Sequence, residues 1–408
     1  MERKTNIQLS LMMFLQFFIW GAWFVTMGTF LGTELQADGG QIGTAYMTQA
    51  WGAIIAPFIM GLIADRFFSA QKLLGVLHIV GAGLLYLAGN ASNFAQFYPY
   101  VLGYMVLYMP TLALVNSVSF NQMQNPSKEF AKVRIWGTIG WIAQGLLIGS
   151  VFLWESKGLL QNTFLLASGA SAFLGVFSFT LPETPPPAKG QKASLGDIVG
   201  IEALALLKDR NFLIFFVSSI LICIPLAFYY SFANPFLNEL GVRISLFGTV
   251  VYPAAIMTSG QISEALFILL LPVFISRYGM KKTLLFGMLA WAVRYLLFAF
   301  GDADSKIWML LTGIVLHGIC YDFFFVSGQI FTDYKAGSKI RSAAQGFITL
   351  ATYGVGMLIG FQVAGMIVEA YTLEGVIAWQ SVWSIPAVFA MVVLALFALS
   401  FKNEKINV

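Results

Sequence analysis

Four charged side chains interrupt long apolar stretches of the chain: Arg134, Glu264, Arg294 and Asp322. The remaining charges among 23 Lys and Arg and 19 Asp and Glu residues fall near the ends of these stretches or between them. A charge at the centre of a bilayer costs at least ~2.5–3.5 kcal/mol on insertion scales, so such residues face the protein interior and are candidates for function. Carboxylates there can exchange protons, and arginines there can bind oxygen-rich solutes.

One candidate group lies in the segment VRIWGTIGW, where Arg134, Thr138 and Trp141 recur at i, i+4 and i+7. This spacing places a cation, a hydroxyl and a flat ring on one face of a helix. Arginine can bind carbonyl or hydroxyl oxygens, and tryptophan can stack on a planar ring. The alternative is an arginine at the membrane interface above a packing tryptophan.

A second group lies in SGQISEALFILL, where Gln261 and Glu264 are three residues apart and share a helix face. An amide and a carboxylate together can accept from and donate to vicinal hydroxyls such as those of a ribose. In the alternative, Glu264 is the partner of Arg134, since an unpaired buried charge is costly. The two interpretations are compatible.

A third group lies in LHGICYDFFFVSGQ, with His317 and Tyr321 one helical turn apart and Asp322 rotated by about 100° from Tyr321. Asp322 is the candidate proton site, because a carboxyl group in a low-dielectric environment binds a proton more readily. Alternatively, Asp322 stays ionised beside Arg294. His317 bonds either a substrate or a neighbouring carbonyl group.

Aromatic and polar side chains on two further segments are candidates for cavity contacts or for packing. Tyr230 belongs to one of these segments, YYSFAN. His78, which lies elsewhere in the chain, is expected to be structural. The other members, from FLQFFIWGAWFVT and from YYSFAN, are Gln16, Trp20, Trp23, Tyr229 and Asn234.

The composition determines the elements that must position these groups. Of 408 residues, 58% are hydrophobic and 10% charged, against about 25% charged in soluble domains. The apolar runs exceed the ~10 residues of a barrel strand, so we predict an all-α polytopic membrane protein with twelve transmembrane helices. The predicted spans are 7–31, 41–64, 73–90, 97–121, 131–154, 162–182, 212–237, 246–276, 283–300, 307–331, 342–368 and 379–401.

The polar stretch 183–211 divides these spans into two six-helix halves, so the predicted domains are 1–182, a cytoplasmic linker 183–211, and 212–408. With both termini inside, Lys157, Arg243 and Lys306 are the only Lys and Arg residues that fall in outer loops, as the positive-inside rule requires. The first apolar run lacks a small-residue cleavage site and is predicted to be retained as a span.

Several classes of function are excluded by the sequence. A net charge of +4 without basic blocks argues against a nucleic-acid partner. The motifs HExxH, GxSxG and GxxxxGK[ST] do not occur, so neither an enzyme activity nor ATP use is expected. Cys223 and Cys320 lie in apolar runs, and we expect no disulfide, metal or cofactor.

The two halves resemble each other in one loop. GLIADRFFSAQKLLG and PVFISRYGMKKTLLF superpose with a constant offset of 211, and internal repeats are typical of secondary transporters. GLIADR followed by Lys72 resembles the loop between the second and third helices of the major facilitator superfamily. This resemblance implies the facilitator fold and conformational gating by Gly61, Asp65, Arg66 and Arg277.

A further set of segments is similar to the nucleoside:proton symporter family: FLQFFIWGAW, YMPTLALVNSVS, RIWGTIGW, QISEALFIL, SRYG, YDFFFVSG and IRSAAQG. The resemblance implies proton-coupled import of nucleosides by alternating access. It assigns substrate contacts to Arg134, Thr138, Trp141, Gln261 and Glu264, and makes Asp322 the proton-linked carboxylate. In the mechanism that we expect, proton coupling uses Asp322 or Glu264.

The chain departs from the family pattern at several contact positions, which leaves the preferred base open. Ala227 and Tyr230 replace a glutamine and an asparagine, His317 and Tyr321 replace a tyrosine and a phenylalanine, and Trp141 replaces a phenylalanine. Tyr230, His317 and Tyr321 are therefore expected to line the part of the pocket that differs from the family, whereas the ribose contacts are kept.

The expected partners are a nucleoside, protons and the lipid bilayer, and we expect a monomer in a bacterial inner membrane. The alternatives are a proton-coupled porter of sugars or other small polar solutes and a non-transporting nutrient receptor. Drug antiport is disfavoured because GTIGWIAQGLLIG lacks the expected proline.

Overall fold

The computed structural model describes residues 2–60, 67–186, 201–246 and 248–404. Helices dominate this part of the chain, which confirms the all-α prediction. Within it, nine helical segments are long and apolar enough to cross a membrane. Their length follows from composition, because an apolar run in lipid must satisfy its backbone polar groups within itself.

The first half consists of helices separated by short turns. They are α1 (Arg3–Phe24), α2 (Met27–Glu34), α3 (Gly39–Ile59), α4 (Ala70–Gly89), α5 (Phe94–Asn121), α6 (Pro126–Leu146), a π-helix (Leu147–Phe152), α7 (Trp154–Lys157) and α8 (Gln161–Ser178). The side chain of Asn93 caps α5 by accepting from the backbone N–H of Gln96 at 3.0 Å.

The second half begins with a short 3₁₀-helix (Ile201–Lys208) and contains two small hairpins. Its elements are α9 (Arg210–Glu239), β1 (Ile244–Leu246), β2 (Thr249–Val251), α10 (Pro253–Ile256), α11 (Thr258–Phe267), α12 (Leu271–Phe300), α13 (Ile307–Val315), α14 (His317–Cys320), a π-helix (Tyr321–Val326), α15 (Ser327–Thr349), a π-helix (Leu350–Gly356), α16 (Met357–Ala370), β3 (Thr372–Leu373), β4 (Val376–Ile377) and α17 (Trp379–Ser400).

Two compact units divide the chain. Unit 1 comprises Met1–Ala37, Thr48–Ser194 and Ile244–Ala255, and unit 2 comprises Asp38–Met47, Leu195–Arg243 and Ile256–Val408.

Glycines allow close helix contacts in unit 1. A Cβ atom at Gly140 would meet the backbone of Phe14, and one at Gly137 would meet the Phe17 ring, so α6 packs closely on α1. Such small-residue contacts are a common way for helices to associate in lipid.

Aromatic rings and glycines fill the core of unit 2. The Trp383 ring of α17 stacks on that of Tyr295 on α12, with centroids 5.7 Å apart. The glycines of α16 lie against α9: a Cβ at Gly360 would meet Ala227 and the backbone of Cys223. These contacts position α9 and α12, which carry several candidate site residues.

The predicted start of the eighth span, at residue 246, is wrong. Ile244–Leu246 pairs antiparallel with Thr249–Val251, and the helix begins only at Pro253. Gly248 has φ of +79°, which supports the tight turn. Because apolar β-branched residues such as Val250 and Val251 also suit a span, hydropathy alone could not separate the strand from the helix.

Glycines in the left-handed region also interrupt two long helices. Gly279 (φ +80°) breaks α12 and Gly337 (φ +64°) breaks α15. Both positions fall between predicted spans, so each of these helices contains parts of two spans joined by a sharp turn.

Some sequence predictions lie outside the described residues. These include Gly61, Asp65 and Arg66 of the predicted gating loop, and positions 187–200 of the predicted linker. Arg277, the matching position of the second half, is exposed, and its guanidinium lies 5.5 Å from the Tyr278 ring centroid.

Candidate functional site

The stripe predicted on α6 exists and is partly buried. Arg134, Thr138 and Trp141 are each shielded in part, whereas Ile135 and Ile139 on another face are exposed. The structure therefore orients the three polar and aromatic side chains together, as the helical spacing predicts.

Aromatic side chains of α1 contact both ends of this stripe. The Arg134 guanidinium lies 4.1 Å from the Phe17 ring centroid, a cation–π contact. The Trp141 ring meets Trp20 edge to face, with centroids 5.5 Å apart. Trp20 in turn contacts Tyr108. The aromatic face of α1 thus holds the candidate binding residues of α6 in place.

A buried polar network crosses four helices of unit 1. His78 on α4 bonds Gln16 Oε1 through Nε2 at 2.9 Å and Ser171 Oγ through Nδ1 at 3.0 Å. Gln16 donates to Thr111 Oγ1 at 2.7 Å, and Tyr108 donates to the Gln16 carbonyl oxygen at 2.6 Å. These satisfied bonds support a structural role for His78. Its partners come from distant spans, so its neighbours along the chain do not indicate them.

In unit 2, close packing of α11 against α14 brings Glu264 and His317 together. A Cβ at Gly318 would meet the backbone N of Glu264, and one at Gly260 would meet the His317 side chain. Ser263 Oγ lies 2.7 Å from the Val315 carbonyl oxygen and accepts from the backbone N–H of Gly318 at 3.0 Å. Gln261 and Glu264 are both partly buried on this helix.

A chain of polar groups runs from α12 to α11 through the His317 ring. Arg294 Nη1 lies 3.3 Å from His317 Nδ1, and His317 Nε2 lies 3.8 Å from Glu264 Oε2. Arg294 and His317 are buried, whereas the Glu264 side chain is 30% exposed. The three groups therefore connect the interior of unit 2 to a more accessible position.

Asp322 lies in the π-helix that follows α14 and is fully buried. Neither of its carboxylate oxygens has a hydrogen-bond partner among the residues that the structure describes. When ionised, it is repelled by the Glu264 carboxylate. The alternative ion pair with Arg294 is wrong within this part of the chain, because neither Asp322 oxygen has a partner there, and the Arg294 guanidinium bonds His317.

Tyrosine rings surround His317. The Tyr229 ring stacks on it at 5.5 Å and the Tyr321 ring at 6.0 Å. Tyr321 is partly exposed and bonds the hydroxyl of Tyr353 at 2.8 Å. Tyr230, the neighbour of Tyr229, is partly exposed as well.

The site predicted from sequence thus falls into two groups. The α6 residues lie in unit 1, and the remaining substrate and proton candidates lie in unit 2: Tyr230, Gln261, Glu264, His317, Tyr321 and Asp322. Sequence reasoning missed Tyr353, because a single tyrosine in an apolar span carries no distinguishing signal. It singled out Arg294, whose contact with His317 it did not foresee.

A family model and several relatives at 33–43% identity indicate one family. The family described as "Nucleoside H+ symporter" matches residues 3–406. YegT of Escherichia coli (strain K12), described as a putative nucleoside transporter, is 43% identical, covering 98% of this chain and 95% of that protein. The nucleoside permease NupG of the same organism is 34% identical, covering 99% and 98%, and its xanthosine permease is 33% identical, covering 97% and 96%.

Solved structures of NupG support the same family, and more distant structures share the fold. The crystal structure of the nucleoside transporter NupG superposes with a TM-score of 0.85 at 32% identity, covering 98% of this chain and 100% of that chain. A point mutant of NupG superposes with a TM-score of 0.88 at the same identity and coverage. The POT family transporter PepTSo, at 15% identity and a TM-score of 0.75, shares the fold and covers 98% of each chain.

The fold and these matches define a multi-pass transporter of the facilitator type, in a bacterial inner membrane, and not an enzyme. The chain belongs to the nucleoside H+ symporter family and is a transporter of nucleosides.

Proposed function

We propose that this chain imports nucleosides together with protons by alternating access between its two six-helix halves. The observation that carries the proposal is Asp322, a fully buried carboxyl group without a hydrogen-bond partner in the described residues. An ionised carboxylate is costly to bury in this way, and protonation removes that cost. A proton taken up there would offset the charge repulsion from Glu264.

The substrate contacts that we propose come from two groups of side chains, one on α6 and one in unit 2. On α6, Arg134 and Thr138 bind substrate oxygens and Trp141 stacks on the base. On α11, Gln261 and Glu264 bind ribose hydroxyls. Tyr230, His317 and Tyr321 contact the remaining part of the substrate.

Proton coupling would then be electrostatic. Glu264 binds the substrate as an anion, and Asp322 carries the transported proton, because two ionised carboxylates in a shared low-dielectric environment repel each other. Substrate and proton would favour the same closed state, and release of the proton would weaken substrate binding.

The altered contact positions determine the preferred base in this proposal. Relatives of this chain are named a nucleoside permease and a xanthosine permease. We propose a nucleoside substrate, with its base selected by Trp141, Tyr230, His317 and Tyr321.

We further propose that both termini are cytoplasmic, as the distribution of Lys and Arg requires. The protein works as a monomer embedded in lipid. Gly61, Asp65 and Arg66, with Arg277 in the second half, control the conformational change. The proposed halves are 1–182 and 212–408, joined by the linker 183–211.

Uptake of labelled uridine and adenosine into proteoliposomes tests the proposal, with and without an inward proton gradient. Unlabelled nucleosides, free bases, ribose and maltose serve as competitors. We expect accumulation that depends on the gradient and is inhibited by nucleosides only. Inhibition by free ribose or maltose would indicate a sugar porter, and binding without flux would indicate a receptor.

A further inference from the structure

The proposed function does not use Arg294, although it is a fully buried cation. Three aromatic rings surround it. Its guanidinium lies 3.3 Å from the Tyr229 ring centroid, 5.4 Å from that of Trp291 and 5.8 Å from that of Phe298. Cation–π contacts of this kind stabilise a desolvated guanidinium. They also fix its position, so its polar contact with His317 has a defined direction.

The direction of that contact follows from hydrogen-bond chemistry. A guanidinium has five N–H donors and no acceptor, so at the Arg294–His317 contact the nitrogen of His317 must accept. That nitrogen is Nδ1, 3.3 Å from Arg294 Nη1. A neutral imidazole has one donor and one acceptor nitrogen, so the proton of His317 resides on Nε2.

The nitrogen that carries this proton is the one nearer to Glu264. His317 Nε2 lies 3.8 Å from Glu264 Oε2, which is longer than a hydrogen bond. The two neighbouring rings that stack on His317, those of Tyr229 and Tyr321, restrict its rotation. The Nε2–H group of His317 is therefore a donor of fixed orientation beside the Glu264 carboxylate, which is an acceptor.

We propose that Arg294 is a positioning residue that holds His317 as a neutral Nε2–H donor beside Glu264, so that the site binds a substrate through an acceptor atom. This inference rests on the proposed function in one respect, the contact between His317 and the nucleoside. The acceptor would be a carbonyl oxygen or an unprotonated ring nitrogen of the base, or a ribose oxygen. An N–H group of the substrate at this position would face a second donor and be rejected.

Nitrogen NMR of the histidine rings tests the tautomer directly. The chain has two histidines, so selective ¹⁵N labelling gives signals from two rings, and His78→Asn identifies those of His317. In the solubilised wild-type protein we expect His317 to show a protonated Nε2 and an unprotonated Nδ1. A protonated Nδ1, or a doubly protonated ring at neutral pH, would overturn the proposal.

Variants of Arg294 test whether this residue determines the tautomer of His317. Arg294→Met removes the donor, and we expect the NMR signals of His317 to show a mixture of tautomers. We also expect the half-saturating nucleoside concentration to rise about tenfold, which corresponds to the loss of about one hydrogen bond. Arg294→Lys retains a cationic donor and should restore the Nε2–H tautomer and most of the affinity. Arg243→Met, at an exposed arginine, is the matched control and should change neither readout.

The outcomes separate this inference from the proposed function. If Arg294→Met leaves the tautomer unchanged, Arg294 does not position His317, whatever the transport result. If the tautomer changes and affinity does not, His317 does not contact the substrate and the specificity part of the inference is wrong. If the wild type transports no nucleoside, the proposed function fails, while the NMR result still decides the role of Arg294.

Discussion

The proposed binding of a nucleoside and a proton depends on individual side chains in unit 2. Glu264 is the one group in the Arg294–His317–Glu264 chain with substantial exposure, 30% of its side chain. Asp322, by contrast, is fully buried. The more exposed carboxylate suits substrate binding, and the buried one suits proton exchange.

Glu264→Gln should weaken nucleoside binding. The substitution preserves size but replaces a charged acceptor, and hydrogen bonds to charged groups contribute about 1.5–3 kcal/mol, so we expect a loss of roughly tenfold to a hundredfold. Equilibrium binding of labelled nucleoside to the solubilised protein measures this. Glu374→Gln, at an exposed hairpin position, is the control, and equal affinity of both variants would remove Glu264 from the site.

The helices place these side chains through contacts between backbones. Gly260, Ser263 and Gly318 let α11 and α14 approach closely, and this approach brings Glu264 near His317. The proposed site therefore depends on the separation of the two helices as well as on the identity of its polar residues.

Gly318→Ala should disturb both stability and binding. The new methyl group would meet the backbone N of Glu264, which cannot move at low cost, so we expect a destabilisation of about 1–3 kcal/mol with a lower nucleoside affinity. Thermal unfolding of the solubilised protein and a binding assay measure the two effects. Gly346→Ala introduces a methyl group into open space, and it should bind normally; if Gly318→Ala does the same, the close contact does not position Glu264.

Ionic contacts through Lys335 join the start of α9 to Glu404. Lys335 Nζ lies 3.0 Å from Asp209 Oδ2 and 2.7 Å from Glu404 Oε1. Partial burial would raise the pKa of the Asp209 carboxyl group, but the backbone N–H of Phe212 and the Lys335 ammonium outweigh it and hold this pKa below its ordinary value.

Acid should therefore destabilise the wild type partly through Asp209. Since the pKa of Asp209 is lower in the folded state than in the unfolded state, its pair with Lys335 stabilises the folded protein at pH values above the ordinary aspartate pKa. This stabilisation is lost as the pH falls through the lowered pKa of the folded state. In Lys335→Met, the unfolding temperature should be lower at pH 7 and should fall less between about pH 7 and pH 3. Lys132→Met is the control, and a parallel pH dependence in Lys335→Met and the wild type would contradict the role of the pair.

Much of this architecture could be predicted from the sequence, for a simple physical reason. Lipid excludes charges, so apolar runs mark helices, and the rare exceptions such as Glu264 and Asp322 mark interior sites. The hairpin from Ile244 to Val251 was missed because its apolar residues suit both strand and span.

Contacts between spans were beyond prediction from sequence. The bond of Arg294 to His317 depends on how α12 packs beside α14, which neither helix's own pattern specifies. The hydrogen bond between Tyr321 and Tyr353 joins two π-helices, and nothing in the local sequence distinguishes these turns from ordinary helix. Helical periodicity correctly placed residues that share one helix, such as those of the α6 stripe.

We expect the orientation of the entire chain in the membrane to follow from its charges. Both natural cysteines are buried, and in a background with both replaced by alanine, single cysteines can report sidedness. We expect Lys306→Cys to react with an impermeant maleimide in intact cells, and Lys402→Cys to react only after permeabilisation. The reverse pattern would place the termini outside and contradict the proposed topology.

In the proposed function, nucleoside and proton movement are coupled through Asp322, and Asp322→Asn tests this coupling most directly. The measurement compares nucleoside accumulation driven by a proton gradient with nucleoside exchange at equal pH, in proteoliposomes containing either protein. We predict that the variant loses accumulation and retains exchange, because the amide cannot carry a proton while the substrate contacts remain. Undiminished accumulation by the variant would contradict the assignment of the transported proton to Asp322.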